Sequence, residues 1–174
     1  MKPSSQFISD DEIMRRKVRV VLGMFMAGLL LSGLTAFPLE RELDLVASAG
    51  HMSYNDRGSF NLWILTVRDG LRASYAKYPW IGYGTDWLAF AHVVLVVFFI
   101  GAFRDPVRNI WIIKAGLIAC AMVIPLAMVC GTVRSIPLGW RMIDCSFGII
   151  GAIPLYYCLR LAKALEKNHG SFHK

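Results

Sequence analysis

Four apolar runs, separated by stretches rich in charge, proline and glycine, set the pattern of this chain. The clearest two flank the short link Arg104-Asp105-Pro106-Val107-Arg108-Asn109. Trp87 to Phe103 has His92 as its only polar side chain and, at the rise of an α-helix, reaches roughly 25 Å, near the lower limit for crossing a hydrocarbon core. Ile110 to Gly131 carries Lys114 near its start and reaches roughly 33 Å, enough to span with some tilt. Pro106 prevents one continuous helix, because its ring removes a donor and pushes the preceding residue out of the helical region. The pattern therefore predicts a hairpin of two membrane spans against which the rest of the chain must pack.

The first span is expected from Val18 to Phe37, behind the basic Met14-Arg15-Arg16-Lys17. A signal peptide is the alternative, but the acidic Asp10, Asp11 and Glu12, the length of the run and the lack of an A-x-A-type site favour a retained span. Gly28 and Ser32, four apart, mark a place where another helix could come close, or else ordinary glycine usage in a membrane helix. Beyond Pro38, the leucines of Leu39 to Val46 predict a short interfacial helix, and His51 to Gly58 predicts a loop. Phe60 to Tyr78 has Phe60, Trp63, Val67, Leu71 and Tyr75 on one face, with Arg68, Asp69, Arg72 and Lys77 spread over the rest, an amphipathic helix. Tyr78 to Gly84 breaks it with proline and two glycines and supplies an aromatic belt at the mouth of the second span. A short turn, Thr132 to Trp140, joins the third span to a last one from Met142 to Leu161, where Pro154 predicts a kink.

These elements predict an all-α integral membrane protein, a four-transmembrane-helix antiparallel bundle with a partly helical extracytoplasmic cap. Its parts are an N-terminal tail (1–17), a four-span membrane domain (18–162) that includes the outer loop 38–86, and a C-terminal tail (163–174).

Composition agrees: 56% of the 174 residues are hydrophobic and the mean hydropathy is +0.49. The net charge of +7 invites a nucleic-acid reading, but the lysines and arginines sit at the ends of apolar runs and not in a basic stripe interleaved with aromatics, so nucleic acid is excluded as a partner. Of the 19 basic residues, 12 fall on the side of the termini and the Arg104–Asn109 link, and the other seven on the opposite side, five of them in the long loop. The excess predicts that both termini are cytoplasmic, in a bacterial inner membrane.

Chemistry-bearing residues cluster at the outer ends of the spans. Asp86 opens the second, Arg134 and Arg141 lie in the second outer turn, and Asp144 starts the fourth. Asp144 shares a helical face with Gly148, Gly151 and Ala152, a small-residue face suited to close helix contact, so it is expected to point inward. An Asp144 pair with Arg134 or Arg141 is the first expectation, and a polar head group the second. His92, about two turns into its span, suits a hydrogen-bonded packing role; proton handling, a quinone contact and haem ligation are the functional alternatives. Haem held by two histidines is disfavoured, since His51, His169 and His173 all lie outside the spans. Asp86, His92, Arg134, Arg141 and Asp144 thus form the candidate ligand site. No metal is expected: Glu40, Glu42 and Asp44 read as a solvated face, and His169 with His173 as a solvated tail. No C-x-x-C pair occurs among Cys120, Cys130, Cys145 and Cys158. A Cys130 to Cys145 disulfide is the lesser alternative to packed thiols.

The layout of four spans, a long first outer loop with an amphipathic segment and a tight basic-proline turn resembles the sterol-binding EXPERA superfamily. The resemblance is one of architecture: that family places acids inside its first two spans, whereas Gly23 to Thr35 has none and the second span offers only His92. No site carries over. The spans lack a nucleophile and base at reactive spacing and a phosphate-cradling loop, so the function expected is that of a small binding or accessory subunit in a larger complex or homo-oligomer. The alternative is a membrane enzyme or carrier for a lipophilic small molecule, a lipid, sterol-like compound or quinone.

Overall fold

The computed structural model describes residues 5–55 and 58–170, and over these the chain is helical with no strand. The helices are α1 (Ser5–Ala36), α2 (Leu39–Ala49), α3 (Ser59–Lys77), α4 (Gly82–Arg104), α5 (Ile110–Val133) and α6 (Leu138–Gly170). Four stretches are long and apolar enough to cross a membrane: Asp10–Ala36, Pro79–Arg104, Ile110–Val133 and Leu138–Asn168. By length and composition this is a multi-pass membrane protein. Its exposed side chains agree, since Trp111, Ile118, Met122, Ile150 and Ile153 are all outward-facing.

The helix ends follow local chemistry. The expected link holds to within one residue: α4 takes in Arg104, and α5 starts at Ile110. The Asp105 carboxylate accepts the Arg108 N–H at 3.1 Å, and the Asn109 amide donates to the Gly101 and Asp105 carbonyls at 3.0 Å each, satisfying the open end of α4. Helices α1 and α6 run well past the apolar runs expected for them, because neither Ser5 to Lys17 nor Ala162 to His169 holds a proline or glycine to stop them. The Tyr78 to Gly84 break is shorter than expected: Pro79–Ile81 is a 3-10 turn and Gly82 already opens α4. Two helices, α2 and α5, stop in the same way. His51 (φ 47°) and Ser135 (φ 56°) turn left-handed, and the carbonyls left open are taken by Met52 and His51 N–H in one case and by Ile136 and Ser135 N–H in the other.

The chain divides into two compact units, Met1–Ala27 with Val96–Lys174, and Gly28–Leu95. In the first, Val18 and Leu22 of α1, Phe99 and Ala102 of α4, Ile113 of α5, and Leu155 and Cys158 of α6 are buried. Phe25 meets Phe99 edge-on at 5.1 Å, and the Cys158 thiol lies 3.8 Å from the Val18 carbonyl. In lipid the apolar side chains gain little by leaving the solvent, so contacts this close must come from shape. Glycine supplies it between α5 and α6. A Cβ on Gly148 would sit 2.5 Å from the Cys120 carbonyl oxygen, and one on Gly116 would sit 2.9 Å from Leu155. Gly131 lies under the Arg141 stem. Pairing Gly116 with Leu155, Cys120 with Gly148 and Gly131 with Arg141 gives an antiparallel register. The small-residue face expected around Gly148 and Gly151 does approach a neighbouring helix closely.

In the second unit Ala47, Ile64, Leu65 and Ala89 are buried. Phe60, expected on the inner face of α3, is half exposed, and the burial centres on Ile64 and Leu65 instead. There α3 meets α2: Arg68 and Arg72, which the sequence places off the apolar face, meet its carboxylates. Nothing lies near Gly28; the close approach in α1 is at Gly33, where a Cβ would be 3.1 Å from the Ala89 carbonyl and 2.6 Å from the His92 Cβ.

Candidate functional site

The five residues expected to form one site divide between the two units. Asp86 and His92 belong to the second, Arg134, Arg141 and Asp144 to the first. His92 is half-buried and packs against α1 at Gly33. Its Nδ1 donates to the Leu88 carbonyl at 2.8 Å, one turn back, and its Cβ fills the notch left by Gly33. Because a carbonyl only accepts, a neutral His92 carries its lone pair on Nε2. Asp86, in the second turn of α4, is half-buried and joins no ion pair among the described residues.

In the first unit the expected pairing of Asp144 with an arginine does not form. Among the described residues neither Arg134 nor Arg141 makes an ion pair, and Arg141 instead lays its stem over Gly131 and donates from Nη1 to the Thr132 hydroxyl at 2.7 Å. Geometry explains the correction: Gly131 leaves room for the guanidinium to fold across the end of α5, where a hydroxyl answers it without a buried charge pair. The Arg141 Nε finds no partner. Arg134 caps α5 and is exposed, and Asp144 remains half-buried one turn before Gly148.

The same face leads into a groove of about 510 Å³ between α5 and α6, lined by Leu117, Ala121 and Ile124 on one side and Gly148, Ala152 and Tyr156 on the other. Its walls are apolar almost throughout and include Cys120. The groove exists because Gly148 lets α6 come up against the Cys120 backbone while Ala121 and Ala152 leave the outer side unfilled. Tyr156 lines it one turn before Arg160, and its hydroxyl accepts from Arg160 Nη1 at 3.3 Å. Sequence reasoning identified Gly148 and Ala152 on this face but read no groove there, since residues 117 to 124 carry no polar signal.

The ion pairs among the described residues lie in the second unit, at α2 and α3. Arg72 Nη2 donates to both Asp44 oxygens at 2.7 and 2.6 Å and its Nε donates to Glu40 at 3.2 Å. Arg68 donates to Asp69 at 2.7 Å and stands 3.8 Å from Asp44, while the Tyr54 hydroxyl donates to the second Asp69 oxygen. Glu40 and Asp44, expected to face water, are engaged by arginine. The Arg68 guanidinium, then the Tyr54 hydroxyl, hold the Asp69 carboxyl below its ordinary value, and Asp69 in turn raises the Tyr54 phenol.

All four cysteines are free thiols, with Cys145 buried and Cys130 exposed. The side chain of His169, with His173, lies outside the described residues, as do Asp56 and Arg57 of the loop. No family model, characterised protein or solved structure matches the chain, so the layout likeness to the EXPERA superfamily rests on span count and loop order alone.

Proposed function

We propose that this chain is a non-catalytic binding or accessory protein of a bacterial inner membrane, a four-span antiparallel bundle with both termini cytoplasmic and residues 38–86 as an outer cap. The observation that carries the reading is the apolar groove between α5 and α6. In water such a groove would be a liability. In a bilayer it is a seat for an apolar partner, either a lipid chain or a helix of a larger assembly, because shape and small residues govern association there. The basic excess at the termini and at the Arg104–Asn109 link supports the orientation. Extraction of the full chain in a gentle detergent, followed by a mass measurement of the intact particle, tests it. A bound lipid or partner that Ala152→Leu expels is the expected result. A bare monomer unaltered by that substitution would overturn the reading.

The unpaired Asp144 favours a second reading, a carrier or enzyme for a lipophilic molecule with a cationic or hydrogen-bonding head. Asp144→Asn would then weaken retention of that molecule, whereas an accessory role leaves retention unchanged.

A further inference from the structure

The two ends of the α5–α6 groove differ in charge. On α5 the lining positions Leu117, Ala121 and Ile124 recur at helical spacing, and the same stripe continued one turn toward the start of the helix reaches Lys114. On α6 Gly148, Ala152 and Tyr156 recur every four residues, and the next position is Arg160. The antiparallel register that pairs Gly116 with Leu155 puts Lys114 level with Tyr156, so both stripes end in a cation at the same end. Helical side chains lean toward the helix N-terminus, which carries Arg160 back toward the groove, where it bonds the Tyr156 hydroxyl, and carries Lys114 outward to meet it. Neither cation has a carboxylate partner among the described residues, and both are exposed. Continued the other way, the α6 stripe reaches Asp144. The groove is therefore cationic at one end, apolar along its length and acidic at the other.

Resting on the binding role proposed above, we infer that the groove holds one acyl chain of an anionic phospholipid, whose phosphate is met by Lys114, Arg160 and the Tyr156 hydroxyl. The chain lies along the stripe from Tyr156 toward Gly148, a run of roughly 12 Å at the helical rise, with Asp144 barring the opposite orientation of an anionic head. Arginine matches a phosphate by its fork and lysine as a mobile point charge, the usual division between the two. The cationic end lies on the side where the basic residues gather, and that leaflet is the one rich in anionic lipid when this side is cytoplasmic.

The test uses the full chain in a mild detergent, titrated with phosphatidylglycerol and with phosphatidylcholine of identical acyl chains, the bound lipid being counted by mass measurement of the intact complex. Phosphatidylglycerol should be retained in clear preference. Lys114→Gln and Arg160→Gln should each lower that preference about fivefold, the weight of one basic residue near an anionic surface. Arg134→Gln, at the far end of α5, should leave it unchanged, and Ala152→Leu should displace both lipids. Equal retention of the two lipids, with displacement by Ala152→Leu preserved, would overturn the anionic assignment and leave the binding role standing. Retention indifferent to Ala152→Leu would overturn both. A dimer that Ala152→Leu dissolves, with no lipid counted, would give the groove to a second copy and likewise overturn the lipid assignment. An Arg134→Gln effect as large as that of Arg160→Gln would show diffuse charge in place of a site.

Discussion

Two antiparallel helix pairs, α2 with α3 and α5 with α6, are held together by opposite means. The first joins Glu40 and Asp44 to Arg68 and Arg72 through side chains that stand partly in water. The second is built on close approach at two glycines, Gly148 against the Cys120 backbone and Gly116 against the Leu155 side chain, with no ion pair between its helices among the described residues. Each suits its medium. Charged partners at a wet surface tolerate small movements and give modest stability, whereas a glycine contact in lipid admits no slack and cannot be exchanged for a larger residue. The contrast explains why the groove is found at α5 and α6: helices brought close at Gly148 leave space beside them where the facing residues, Ala121 and Ala152, are small.

The sharpest way to break the comparison is to add a side chain at the pinned positions. Gly148→Val should separate α5 from α6 and destabilise the protein by about 3 kcal/mol, because the Cys120 carbonyl oxygen is backbone and cannot yield. Gly28→Ala and Gly139→Ala meet open space and should be neutral or slightly stabilising. Unfolding in a denaturant series in micelles measures all three. A Gly148→Val protein as stable as its parent would remove the glycine contact as the basis of the pair.

A smaller effect should separate the helix stops that both pairs share. Ser135 and His51 each hold a positive φ that glycine adopts freely. Ser135→Gly should stabilise by about 0.5–1 kcal/mol, the relief of strain outweighing the added freedom of the unfolded chain. His51→Gly should gain less, because histidine tolerates this region better than most residues. Thermal unfolding that ranks them the other way would put the strain elsewhere.

How much of this was legible follows from what each signal depends on. The Arg104–Asn109 link could be read because proline and charge act locally, and the small face around Gly148 because helical spacing is enough to align it with Gly151 and Ala152. The role of Arg72 was not legible: its position on α3 says only that it lies off the apolar face, and its two carboxylate partners come from a helix 28 and 32 residues away. Arg141 misled for a related reason. A nearby acid is the obvious partner for an arginine, but the space over Gly131 exists only once α5 and α6 are packed. The notch that Gly33 offers His92 could not be read, because Gly28 and Ser32 offered an equally good spacing.

The charged pair should respond to salt where the glycine pair does not. Arg72→Ala removes the bidentate bond to Asp44 and the bond to Glu40, so α2 should become more exchangeable with solvent. High ionic strength should shrink the difference between variant and parent, since these groups are partly exposed. Hydrogen exchange along α2 and α5 reads both pairs at once, and a salt-independent effect at α2 would point to packing instead of charge.

The finest distinction is made by pH, through Asp69. Its carboxyl is held below the ordinary value of 3.8 by the Arg68 guanidinium and the Tyr54 hydroxyl, so the folded state favours the ionised form. A depressed acid contributes stability that is complete above the unfolded value and is lost as pH falls through the lower, folded one. The Tyr54 phenol is raised above 10.0 by the same contact, so its contribution holds below that value and is lost as pH climbs through the folded one. The Tyr54 to Asp69 tie should therefore stand from about pH 4 to about pH 10 and loosen on either side, acid acting first on Asp69 and base on Tyr54. Tyr54→Phe should remove the alkaline limb and leave the acid one, because Arg68 still holds Asp69. Amide exchange at residues 50–55 across this range makes the measurement. Loss of both limbs in Tyr54→Phe would show that the arginine does not hold Asp69 on its own, and that the pair is a three-membered network that fails as a unit.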